Sequence, residues 1–230
     1  MQSPASATPR AAMPAAALIA GLVAAAALAA LPAQAFVIDP RTYGPCLGAA
    51  RCSIGPAVLS AMPEGASFAQ QIDAARGNVR GLGIAHDPGN GFNEAELQGP
   101  VGEGAEQRGG EGIRIDFAVP QRIGSVILAH LFHPGSVAGD ATERAIIRGY
   151  SGETALGTIS VSSREDGSIA ASGPLEQAQL VSAEAGVIYL KHPFPGAALT
   201  RIEFTAAAVA AGDTSDYSLA RIDGARLPAQ

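Results

Sequence analysis

The densest group of hard oxygen donors in the chain is Asp87, Asn90, Asn93, Glu94 and Glu96, at the start of the Gly-rich stretch Asp87 to Glu111. Calcium takes its ligands from carboxylates, side-chain amides and backbone carbonyls, and a loop of this composition supplies all three. Asp213 and Asp216 precede the last extended segment and join the same loop cluster if the first and last strands pair. Asp87, Asn90, Asn93, Glu94, Asp213 and Asp216 are therefore the candidate metal ligands, and calcium is the candidate cofactor. Against this, Asp87-Pro88-Gly89-Asn90-Gly91 does not follow the EF-hand spacing. The same residue types also form ordinary turns, in which Asp and Asn bond to nearby backbone.

Other chemistry is thin. His130 and His133 stand three apart, which puts them on opposite faces of an extended strand. A zinc site would need convergence with His192, whose strand could neighbour theirs, and the sequence does not supply it. Gly149-Tyr150-Ser151-Gly152-Glu153 lacks the second glycine of a nucleophile elbow in its place and runs from strand to turn rather than strand to helix. Gly102 and Gly104 lack the third glycine and the βαβ context of a dinucleotide loop. No catalytic set is identified, and the reading leans to a non-enzyme. Sugar-binding sandwiches use exposed aromatic rings, and Trp is absent here. Of Tyr43, Phe92, Tyr150, Tyr189, Phe194 and Tyr217, only Tyr150 and Phe194 sit beside turns. They are the candidate exposed ligand contacts.

The elements that must position these residues read as strands. From Gly112 the period is two: Ile113, Ile115, Phe117 and Val119 alternate with Arg114, Asp116 and Ala118. Pro120 is expected to end that strand. Ile123 to Phe132 is nearly all apolar and suits a central strand buried on both sides. Ala145–Tyr150, Leu156–Ser162, Gly167–Ala171, Val187–His192, Leu199–Ala206 and Ser215–Ile222 follow, separated by Gly and Pro turn signals. Many short strands with few helices imply an all-β fold, an antiparallel β-sandwich or jelly roll, over residues 79–230. Residues 36–78 read as an irregular N-terminal extension. Pro56 to Met62 is expected to form one helical turn. Ala66 to Ala75 is expected to form a short helix, with Phe68 and Ile72 four apart.

The first 35 residues carry an address. A short polar start with Arg10 precedes the uncharged run Ala11 to Leu31, and Ala33-Gln34-Ala35 fits a signal-peptidase site. Cleavage after Ala35 would give a secreted or periplasmic protein beginning at Phe36; retention of the run as an anchor is the competing reading. No later segment is long and apolar enough for a membrane span. In an oxidising compartment Cys46 and Cys52 are expected to form a local disulfide. The net charge of −6 argues against a nucleic-acid partner, since such surfaces are basic.

Gly81-Leu82-Gly83-Ile84, Asn93 to Leu97, Glu111 to Phe117 and Ser215 to Ile222 resemble secreted bacterial β-sandwich domains of the kind carried by PEP-CTERM-type exported proteins. The resemblance spans about residues 80–223 and implies the sandwich fold and little chemistry. The chain stops at Leu227-Pro228-Ala229-Gln230, so the sorting tail of that group is absent and its anchoring does not carry over. The expectation is a secreted, non-enzymatic binding or envelope-associated β-sandwich, whose partner is a polysaccharide or an envelope protein. The alternative is a carbohydrate-binding module or a carbohydrate-active enzyme.

Overall fold

A computed structural model describes residues 35–85, 96–97, 110–134, 143–208 and 215–226. Among the described residues thirteen strands form: β1 (Ala35–Ile38), β2 (Arg51–Ile54), β3 (Ala57–Met62), β4 (Ser67–Asp73), β5 (Val79–Ala85), β6 (Gly112–Ala129), β7 (Arg144–Ser151), β8 (Thr154–Ser163), β9 (Ile169–Ser172), β10 (Leu175–Ser182), β11 (Val187–Pro193), β12 (Leu199–Ala206) and β13 (Ser218–Arg226). Gly44–Cys46 makes a single 3-10 turn, and no α-helix occurs among the described residues.

Every named strand pair is antiparallel, and the pairings resolve into two half-sheets that share β6. Sheet I runs β2-β3-β6-β12-β7-β8-β9 and uses residues 112–117 of β6. Sheet II runs β4-β5-β13-β6-β11-β10 and uses the later half of β6, with β1 also paired to β13. The β12 register slips between Leu199↔Gln121 and Arg201↔Asp116. Val119 and Pro120 therefore sit at a corner without ladder partners. A residue that has no N–H costs nothing there. Pro120 bends the strand rather than ending it, and Gln121 Nε2 donates to the Val119 carbonyl across the corner (2.9 Å). Strands that switch sheets at such bends are how sandwiches turn corners.

The inner faces follow the period of two. Ile113, Ile115 and Phe117 on β6, Ile147 on β7, and Ile202 and Phe204 on β12 join Leu82, Ile84, Val126, Leu128, Ile188, Leu190, Leu219 and Ile222 in one core. The Phe36 and Phe117 rings meet at 5.5 Å, linking β1 to the sheet I half of β6.

The helical expectations for the N-terminal segment are corrected. Residues 57–62 and 67–73 are strands β3 and β4. On β3, Ala57 and Leu59 are buried while Val58 and Ser60 are not, which is a period of two. Phe68 and Ile72 do share a face, but a spacing of four is common to helix and strand. Residues 36–78 thus supply β1 to β4. The Cys46–Cys52 disulfide forms (Cα–Cα 5.4 Å). Its loop closes one side of the fold: Gly48 N–H donates to the Phe68 carbonyl (2.8 Å), Phe68 N–H to that of Ala49 (2.9 Å), and Ala61 N–H to that of Ala50 (2.8 Å). β4 of sheet II and β3 of sheet I are thereby tied to one loop.

Candidate functional site

The outer face of sheet I carries a ladder of polar side chains. On β12, inward Ile202, Phe204 and Ala206 alternate with outward Arg201, Glu203 and Thr205. Register then fixes the neighbours. Arg201 lies between Asp116 and Tyr150, and Glu203 between Arg114 and Arg148. Arg148 faces Thr158 on β8, and Ile146 faces Ser160, which in turn faces Ser172 on β9.

The ladder is internally bonded. Arg114 grips Asp116 with two parallel hydrogen bonds (2.8 and 2.9 Å), a charge-assisted fork. The pair holds the Arg114 guanidinium above its usual range. Tyr150 Oη donates to Glu203 Oε2 (3.1 Å), and Arg148 Nη1 donates to Thr205 Oγ1 (3.3 Å). Arg201 approaches Glu203 at 3.3 Å, and its guanidinium lies over the Tyr150 ring, 4.0 Å from the centroid. Partial burial and then the Glu203 carboxylate push the Tyr150 phenol up.

Tyr150 and Phe194, expected as exposed contacts, fall on opposite faces of sheet I. Tyr150 faces outward with one ring face covered by Arg201. Phe194 is only 3% exposed, so it is not the exposed contact expected of it. A Cβ on the inward Gly149 would lie 2.9 Å from two Phe194 ring atoms, which shows how closely that ring is packed. Phe194 does contribute to a cleft of about 430 Å³ with Arg122, His192, Pro195, Ala197 and Asp223. His192 and Phe194 both hold positive φ (43° and 59°) on the rim of this cleft. That backbone conformation is uncommon outside glycine and asparagine and gathers at functional sites.

A second polar cluster lies at the ends of β6, β7 and β13. His130 Nδ1 is 2.7 Å from Ser218 Oγ, and both residues are buried. Burial drives the His130 imidazole down to about 4, so it is neutral at pH 7. Glu143 is 2% exposed, accepts a hydrogen bond from the Phe132 N–H and shares another with Asp216. Burial first, and the Asp216 charge second, push Glu143 up to about 11. It is a neutral acid at pH 7. Of the candidate calcium ligands, Asp216 is beside Glu143, while Asp87, Asn90, Asn93, Glu94 and Asp213 lie outside the described residues. Among the described residues no three His, Cys, Asp or Glu side chains are grouped to hold a metal.

The described histidines do not converge. His86 lies outside the described residues, and His133 Nδ1 pairs with the Pro134 carbonyl (2.9 Å). His192 pairs with the exposed Glu176, at the opposite end of β11 from the strand end that holds His130. Sequence reasoning missed the outer ladder, because its members come from β6, β7, β8 and β12 and meet only through register. Alternation within each strand was the available signal, since it marks Arg201, Glu203, Arg114 and Arg148 as outward. No family model and no curated protein matches this chain.

Proposed function

We propose that this protein is an exported, non-enzymatic binding module of the cell envelope that presents the outer face of sheet I to a polysaccharide. The ladder Arg114–Glu203–Arg148–Thr158, with Arg201 and Tyr150 beside it, carries the reading. Its members stand on paired strands and are held by each other, so little ordering is needed when a ligand docks. Arginine forks and carboxylates match the paired hydroxyls of sugar rings. The one Ser–His contact among the described residues, Ser218 to His130, is enclosed in the core, which favours binding over nucleophilic chemistry there. Export rests on the leader sequence and on the likeness to PEP-CTERM-type domains. The formed disulfide and the lack of a helix able to cross a membrane among the described residues are compatible with it.

A second reading places a short sugar in the cleft beside Phe194, and the positive φ of His192 and Phe194 favours it. Affinity electrophoresis in gels cast with defined polysaccharides separates the two. Loss of retardation in Arg148→Ser/Arg201→Ser with Arg122→Ser unaffected supports the outer face. The reverse supports the cleft. A native protein retarded by no polysaccharide refutes both.

A further inference from the structure

Beyond the ladder, toward the β9 edge, the outer face of sheet I sinks into a groove of about 420 Å³. Arg144 and Arg164 stand on its walls, and Ser160, Ser162, Ala170 and Ser172 line it. Register explains the grouping: Arg144 on β7 faces Ser162 on β8, which faces Ala170 on β9, while Ser160 faces Ser172. Arg148 and Thr158 form an adjacent rung of the same face.

The arginines here lack a carboxylate partner, as do Arg41, Arg51, Arg80, Arg122 and Arg226 among the described residues, but these three are gathered on one face by register. Arg76, Arg114, Arg201 and Arg221 each have a carboxylate within 4.0 Å. Arg144, Arg148 and Arg164 have none among the described residues. In a chain of net charge −6 that concentration of unneutralised guanidinium groups is selective. The acidic neighbours offset it only in part. Glu143, next to Arg144, points into the core and is neutral at pH 7. Asp166 accepts the Ser168 N–H (2.9 Å), and with Glu165 and Arg164 it lines a neighbouring hollow beside Pro134; the Arg164 charge acts on the Asp166 carboxyl, though the two side chains form no ion pair.

We propose that this groove binds the carboxylate groups of an acidic polysaccharide, which rests on the reading of the outer face as a glycan surface. Guanidinium forks donate two parallel hydrogen bonds to a carboxylate. The serine and threonine hydroxyls, donors and acceptors at once, suit the ring hydroxyls beside each carboxylate. A neutral glycan would leave three cations unused. A membrane surface would call for exposed apolar anchors next to them, and the groove offers alanine and serine instead.

Polygalacturonate and its methyl ester share one backbone and differ in charge, so they are the decisive probes in affinity electrophoresis. The native protein is expected to bind polygalacturonate at least tenfold more tightly than the ester, with the difference shrinking as salt rises. Arg144→Ser/Arg164→Ser is expected to remove most of that difference without moving the urea midpoint, since both side chains are exposed and unpaired. Arg144→Lys/Arg164→Lys keeps the charge but not the fork and should fall between. Equal binding of acid and ester overturns the carboxylate assignment and leaves the glycan reading standing. Binding to dextran sulfate without polygalacturonate also overturns the assignment. Binding to no polysaccharide overturns the inference together with the reading beneath it.

Discussion

Gly81 and Ser218 occupy one space on neighbouring strands β5 and β13. A Cβ built on Gly81 would stand 1.7 Å from Ser218 Oγ and 2.4 Å from Ser218 Cβ. The serine cannot swing away freely, because its hydroxyl is bonded to the buried His130 Nδ1 at 2.7 Å. Gly81→Ala should therefore fall at the upper end of overpacking costs, about 3 kcal/mol. Ser218→Gly alone strips the imidazole of its partner, at about 1–3 kcal/mol, and adds about 0.5–1 kcal/mol for glycine in a strand. In the double variant the collision is gone. Its loss should be close to that of Ser218→Gly alone, leaving a coupling of about 3 kcal/mol between the two sites. The coupling is the sharp part: Ser218→Gly must cost far less in the Gly81→Ala background than in the native one. Urea unfolding followed by far-ultraviolet circular dichroism measures all four proteins, with midpoints compared at a common slope. If Gly81→Ala alone does not fold, a double variant with the midpoint of Ser218→Gly gives the same answer. Additive losses would refute the packing argument.

Three further outcomes are expected. Glu143 keeps its proton in the folded state up to about pH 11 but loses it near pH 4.5 when unfolded, so its contribution weakens as pH rises through that window. His130, held near 4 when folded against 6.5 unfolded, works the other way and costs stability as pH falls from about 6.5 to 4. Above pH 7 the Glu143 slope stands alone, and Glu143→Gln should flatten the melting temperature between pH 7 and 9; parallel profiles would contradict the burial argument. Cys46→Ser/Cys52→Ser should lower unfolding free energy by about 2.4 kcal/mol on the loop-entropy model, read as a drop in the urea midpoint. Gly173→Ala should cost more than Gly152→Ala. Both glycines have positive φ, but a Cβ at Gly173 would lie 2.1 Å from the Thr158 carbonyl oxygen while Gly152 faces open space. The φ strain common to both is worth about 1–2 kcal/mol, and equal melting temperatures would refute the ranking.

What could be read from the sequence followed the strength of the local pattern. β12 matches its expected span Leu199–Ala206, because Ile202, Phe204 and Ala206 alternate with polar residues between clear turns. β10 went unseen: Val181 is 60% exposed on it, which spoils the alternation. The helix expected from Phe68 and Ile72 failed on a spacing that two periods share. Pro120 misled because only the fold shows that it sits at a corner. The separation of Tyr150 from Phe194 depends on a ring packed beneath Gly149, and the unpaired arginines on a register across three strands. Neither is a property of a local stretch of chain.

Phe36 pairs with Gly224, so the earliest strand lies against the latest. The long β6 then commits both layers together, since it supplies rungs to each. Sheet I has all its strands once β12 is present, whereas sheet II cannot be completed before β13. Ordering of sheet II waits for β13, and contacts this distant in sequence make the search slow. A polypeptide built this way stays pliable until strands far apart in sequence have met.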